Sequence, residues 1–304
     1  MGSSEVFEND DGAALVFRKG RSSFGLGTGH DYTLRFRNLH TKGDAYGPAV
    51  YRFEGPLSLV GNGGTKRSLA IDSANMKIEF ACTGNCMSGG FGVGNGVVYE
   101  TLVDDALTTN AWFRGSDTGS LLLGSTHQQI GHINDCRKLT ISGTYPAMLE
   151  MRAGGTSDET SSKCLYQTKF SGWVGLAVNT IAKDNICQLK GVQSASYGDI
   201  TVTRGVLVFD SASSWRNGTN VTVRAEGTLK IASENTFNRD IAVLRLEEGA
   251  KIDIPSGVTQ VFAEGWLGNM RLRPGSTYAS GAVDYVTGGG AFRIAGGGTM
   301  VIFR

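Results

Sequence analysis

Between residues 218 and 237 the chain reads GTNVTVRAEGTLKIASENTF, and apolar positions alternate with polar ones: Val221, Val223, a five-residue gap, then Leu229 and Ile231. Alternation of period two places such residues on one face of a strand. The pattern recurs at Leu244, Leu246, Ile252 and Ile254. It recurs at Met270, Leu272 and Tyr278, with Ser280 in the last slot, and at Phe292, Ile294, Met300 and Ile302. A weaker copy precedes them at Ile200, Val202 and Val208, with Asp210 last. The second apolar positions fall at 202, 223, 246, 272 and 294, in steps of 21, 23, 26 and 22 residues. Each gap holds glycine (RAEG, EEGA, RPGS, AGGG), which predicts a turn between two short strands. One such unit cannot bury its apolar face, but stacked units share a continuous core. At roughly 3.3 Å per residue the step gives a coil contour of about 70–85 Å, ample for two or three faces. The pattern therefore predicts an all-β chain, a right-handed parallel β-helix or solenoid, with positions 202, 223, 246, 272 and 294 lined up along it. The alternative is an antiparallel β-sandwich, since glycine turns of this length also serve hairpins. The similarity of successive units favours the solenoid.

The first half repeats less clearly. Tyr51, Phe53, Leu57 and Leu59 keep the alternation, as do Leu139, Ile141, Leu149 and Met151. KIEFACTGNC, SLLLGS and WVGLAVN read as strands, and residues 97–113 are the one stretch where a helical turn is expected. The organisation expected is a single solenoid over 1–304, with irregular coils and loops over 1–195 and regular coils of 21–26 residues over 196–304.

Composition agrees with many short strands and tight turns: 44 of 304 residues are glycine and only five are proline, with no Gly-X-Y period. With 29 basic and 28 acidic residues the net charge is +1, so no global attraction to nucleic acid or an anionic membrane is expected. No apolar run reaches the roughly 18 residues of a transmembrane helix. The N-terminal residues lack the basic and apolar regions of a secretory signal. The five cysteines, Cys82, Cys86, Cys136, Cys164 and Cys187, cannot all pair with one another. Cys82 and Cys86 could be bridged or could begin a metal site. No second close Cys/His pair completes a zinc site, so buried thiols are the simpler reading and no metal or cofactor is expected.

The stretches GDITVTRGVLVFDSASSWRNGTNVTVRAEGTLKIASENTFNRD, LRLEEGAKIDIPSGVTQVFAEGWLGN, RPGSTYAS and GGGAFRIAGGGTMVIF resemble the C-terminal portion of bacterial autotransporter-associated β-strand repeat proteins, over about a third of the chain. The resemblance implies a long exported or surface β-solenoid. It assigns no catalytic residues. Set beside the missing signal, it makes a fragment or a misplaced start the expectation.

Some β-solenoids cut acidic polysaccharides, and two carboxylates flanking a sugar bond are the chemistry they need. Asp104 and Asp105, followed by GHIN at 131–134 with His132, and then by Arg137, are similar to the acid, histidine and basic positions of polygalacturonases. The second glycine of Gly-His-Gly is replaced by Ile133, and the basic residue comes early. Solvated turn residues are the competing reading of Asp104 and Asp105. Asp117, Asp158 and Glu159 have no calcium-ligand spacing, and His30, His40, His127 and His132 are dispersed. GLGTG and GNGG lack the Lys-Ser/Thr and helix of a phosphate loop, and turn glycines explain them. Trp112, Trp173, Trp215 and Trp266 would stack on sugar rings if exposed and otherwise pack in the core.

The function expected is that of a non-enzymatic structural or adhesive solenoid segment of an exported or surface bacterial protein. Its loops would contact surface glycans or extracellular matrix, without nucleic acid. The alternative is a polysaccharide-degrading β-helix, a glycoside hydrolase or lyase, with Asp104, Asp105, His132 and Arg137 as its candidates.

Overall fold

A computed structural model describes residues 4–9, 14–17, 33–38, 48–55, 57–58, 68–71, 76–82, 87–94, 96–114, 118–134, 138–152, 165, 168–191, 193, 196–210, 215, 217 and 220–296. Every regular element among them is a strand. No helix there is long and apolar enough to cross a membrane.

Alternation in the sequence becomes alternation in burial. In Ala49–Phe53, Met76–Phe80 and Val97–Thr101 every second residue is buried. Strands stack in parallel into three sheets, each strand supplied by the next coil. The first sheet runs through Ser4–Asn9, Thr33–Asn38, Ser68–Ile71, Met87–Gly92, Leu107–Arg114 and His132–Asn134. The second runs through Ala14–Phe17, Ala49–Phe53, Met76–Phe80, Val97–Thr101, Thr118–Leu122, Lys138–Gly143 and Lys169–Gly172. The third runs through His127–Ile130, Met148–Met151, Gly175–Asn179, Ile200–Phe209, Asn220–Ile231, Val243–Leu246 and Glu264–Leu267. One circuit passes residues 111–114, Thr118–Leu122 and His127–Ile130, then returns to the first sheet at His132–Asn134. This is a parallel β-solenoid, not a sandwich.

Buried residues form columns along the stack. Ile78, Tyr99, Leu121, Ile141 and Phe170 lie in register in the second sheet. Leu149, Leu176, Ile200, Val221 and Leu244 do so in the third. A single apolar core runs from Ala49 to Ile294. Phenylalanines thread it, with Phe209, Phe237, Phe262 and Phe292 following one another at centroid distances of 5.2, 5.6 and 6.1 Å.

The predicted column is correct over its first three members: Val202 pairs with Val223, and Val223 with Leu246. The fourth position belongs to Leu267, which pairs with Leu246. The chain then turns at Gly268 (φ +55°), and Met270–Arg271 returns antiparallel, leaving Met270 60% exposed. Leu272 is buried on this return, and Val286, not Tyr278, lies over Ile252. Thr277–Ala279 pairs antiparallel with Ala291–Ile294, which itself lies parallel to Thr259–Phe262. The last described strands of the stack thus include a mixed sheet. Met300 and Ile302 lie outside the described residues.

The glycine gap is not a hairpin turn in every unit. Ile200–Phe209 and Asn220–Ile231 are continuous strands bent at the corner, with residues 224–226 exposed at the bend. A register shift between Val202 and Arg204 makes the corner of the first strand one residue shorter. Leu207 and Phe209 therefore face the core opposite Leu229 and Ile231, and Val208 faces outward. A one-residue slip exchanges faces in this way. Residues 97–113, where a helical turn was expected, form Val97–Thr101 and the start of Leu107–Arg114, joined by a turn at Asp104 and Asp105.

Three buried glutamines secure corners where the backbone ladder is interrupted. Gln128 accepts from Leu107 N–H at 3.0 Å and donates to Val103 O at 2.7 Å and to Thr126 Oγ1 at 2.9 Å. Gln193 accepts from Phe170 N–H at 2.8 Å and donates to Thr168 O at 3.2 Å. Gln260 accepts from Phe237 N–H at 3.4 Å and donates to Phe237 O at 3.2 Å. Each reaches back to the preceding coil and satisfies groups that burial would otherwise leave unpaired.

Candidate functional site

The corner between the second and third sheets is built on close-packed glycine. A Cβ on Gly172 (φ +71°) would lie 2.5 Å from Gly143 O, and one on Gly198 would lie 2.0 Å from Val174 O. Successive corners are tied by backbone bonds: Trp173 N–H donates to Gly143 O at 3.0 Å, and Tyr197 N–H to Gly172 O at 2.9 Å. With no room inside, the aromatic side chain at each corner projects outward. Tyr145, Trp173 and Tyr197, on three consecutive coils, are 77%, 48% and 42% exposed. Tyr145 meets Trp173 edge to face at a centroid distance of 6.1 Å, and Trp173 stacks on Tyr197 at 5.5 Å.

Beside this row lies a cavity of 370 Å³, lined by the three rings together with Met148, Gly175, Asp199 and Asn220 among others. Gly175 provides the depth. It sits in register with Met148, and a side chain there would reach within 2.6 Å of Met148 Cε. Asp199 is fastened to the next coil: its Oδ1 accepts from Asn220 N–H and its Oδ2 from Asn220 Nδ2, both at 3.0 Å. The lining thus offers aromatic faces on one side and a carboxylate and carboxamide on the other. Of these groups, only Trp173 was named as a sugar-stacking candidate from sequence. The signal for the others is local: GTYPA, SGWVG and ASYGD each put one aromatic residue within two positions of a glycine.

Next to Met148 the outer face of the third sheet carries a charged cluster. Glu150 accepts from Arg152 Nη1 at 2.9 Å and from Asn179 Nδ2 at 2.8 Å, and its Oε2 lies 3.5 Å from His127 Nε2. The His127 contact, ahead of those to Arg152 and Asn179, lowers the Glu150 carboxyl to about 2 against the cost of burial. The same carboxylate raises the His127 imidazole above its ordinary value.

The four residues proposed from sequence are distributed differently. Asp104 Oδ1 accepts from His127 N–H at 2.8 Å, and Asp105, at φ +51°, forms the exposed turn beside it. His132 belongs to the first sheet, where its ring stacks on Trp112 at 6.1 Å and burial lowers its pKa. Arg137, like Asp117, Asp158, Glu159, His30 and His40, lies outside the described residues. Trp215 is fully buried, and Arg245 lies over the Trp266 ring at 5.5 Å. Cys82 is disulfide-bonded and Cys187 is buried and outside any disulfide, while Cys86, Cys136 and Cys164 lie outside the described residues. No group of three or more His, Cys, Asp or Glu among the described residues could hold a metal ion.

No protein-family model, no curated protein and no solved structure matches the chain.

Proposed function

We propose that this protein is a structural, adhesive β-solenoid segment of an exported or surface bacterial protein, and that its corner groove contacts glycans. The observation that carries the reading is the row of Tyr145, Trp173 and Tyr197, exposed on three consecutive coils beside a polar-edged cavity. Exposed rings are costly to leave in water and give the C–H faces of sugars a flat apolar surface. A solenoid suits the task because its rigid stack repeats one surface position at coil spacing. The disulfide at Cys82 supports an oxidising setting outside the cytosol.

Contact without cleavage is favoured by the state of the carboxylates nearby. Glu150, held at about 2 by its partners, carries no proton to donate near neutral pH. Asp199 uses both oxygens to hold Asn220. The test is retention of the protein on immobilised polysaccharides of varied composition. Wild-type protein is expected to be retained by at least one of them, and Trp173→Ala to pass through with its far-ultraviolet dichroism unchanged. Passage of the wild type through every matrix refutes the glycan reading.

A further inference from the structure

Building on the glycan-contact reading, we infer that the groove takes a neutral, hydroxyl-rich saccharide chain running along the solenoid axis, and rejects polyuronates. The direction comes from the rings. Tyr145, Trp173 and Tyr197 occupy equivalent corners of successive coils, so the row they make runs parallel to the stacking direction. A chain laid across the coils meets one ring; a chain laid along them meets three.

The chemical class comes from the charge of the lining. Among the ten described residues that line the cavity, Asp199 is the one charged side chain, and it is an anion. Two basic side chains close by are already engaged: His127, which pairs with Met148, and Arg152 both lie against Glu150. Beyond His127 stand two more carboxylates, Asp104 and Asp105. A uronate entering this groove meets an acidic group at its polar edge and, among the described lining residues, no guanidinium or ammonium. Recognition of a carboxylate depends on such a cation, preferably a forked arginine. A neutral sugar has no such requirement. Its hydroxyls both donate and accept, which matches a carboxylate beside a carboxamide, and its C–H faces match the rings.

The experiment is native affinity electrophoresis through gels containing galactomannan, hydroxyethylcellulose or polygalacturonate. The proteins compared are wild type, Tyr145→Ala, Trp173→Ala and Asp199→Asn. At least one neutral polymer is expected to retard the wild type, and loss of the Trp173 ring to weaken that retardation by about tenfold. Polygalacturonate is expected to leave the wild type unretarded and to slow Asp199→Asn slightly, since that variant removes the repelling charge and keeps one of the two acceptors that hold Asn220. Tyr145 is largely exposed, so Tyr145→Ala reports on the groove even if Trp173→Ala fails to fold. Retardation by polygalacturonate that disappears in Trp173→Ala or Tyr145→Ala overturns the neutral class and leaves the glycan reading standing. Retardation by a neutral polymer that neither ring variant changes overturns the groove as its site. Retardation by none of the three polymers overturns the neutral-saccharide inference, and the wider retention panel then decides the glycan reading separately.

Discussion

Glu150 Oε2 lies 3.5 Å from His127 Nε2, a contact between two consecutive coils on the outer face of the third sheet. The contact has a pH signature. The folded pKa of Glu150, about 2, lies below its ordinary 4.5, so its contribution is present above the ordinary value and lost as pH falls toward 2. His127 is raised above its ordinary 6.5, so its contribution is present below that value and lost as pH climbs through the folded one. Both act together between 4.5 and 6.5. Glu150→Gln is therefore expected to cost about 1 kcal/mol near pH ~5.5 and less at a second pH chosen above the raised His127 value, where Arg152 and Asn179 remain as partners but the imidazole has lost its proton. Urea titrations at the two pH values check this, and equal losses would remove His127 from the account.

Gln128 is buried, with bonds to Leu107, Val103 and Thr126. Gln128→Leu keeps the side chain's approximate size and removes every one of those bonds. The Leu107 N–H and Val103 carbonyl lose their side-chain partner, and the expected cost is about 2–4 kcal/mol. Thermal unfolding of the variant beside Gln129→Leu, whose position faces outward, separates the polar loss from the effect of adding leucine.

Gly227 marks a close approach between coils. A Cβ there would stand 2.3 Å from Val202 O, a backbone atom that cannot step aside. Gly227→Ala is expected to destabilise by about 2 kcal/mol or more. Gly296, with no described atom within 4 Å of an added Cβ, is the control, and Gly296→Ala should leave the melting temperature nearly unchanged.

Trp215 links core to groove. It is fully buried between Phe170 and Phe209, and its Nε1–H donates to Gly198 O at 2.8 Å, while Gly198 lines the cavity. Trp215→Phe leaves that carbonyl without its indole donor and is expected to cost about 1–3 kcal/mol. Trp215→Ala adds a cavity and is expected to cost about 3–5 kcal/mol. Polysaccharide retention by Trp215→Phe should weaken less than that by Trp173→Ala, because the phenylalanine variant loosens the corner but keeps every exposed ring.

The parts of the fold legible in the sequence are those where alternation and coil length repeat together. Leu244, Leu246, Ile252 and Ile254 could be assigned to the core by period alone, and all are buried. The groove was less visible because its residues belong to corners. Tyr145, Trp173 and Tyr197 are 28 and 24 residues apart, a spacing set by the loops between them and not by strand periodicity. Gln128 and Gln260 look like ordinary polar positions until their bonds to the preceding coil are seen.

By itself the sequence determined that apolar residues alternate and recur at a coil's length, because a strand that cannot bury its own face must carry the same face again for its neighbour. That reasoning brought Val202, Val223 and Leu246 into one column. Only the tertiary structure decided that Leu267 succeeds Leu246 and that Leu272 comes after the antiparallel return of Met270–Arg271. Leu267 and Leu272 both suit the interior, and the choice depends on where the turn at Gly268 reverses the chain. The same holds for the three exposed rings: their neighbourhood arises from corners stacked at inter-strand distance, which no local pattern of residues specifies.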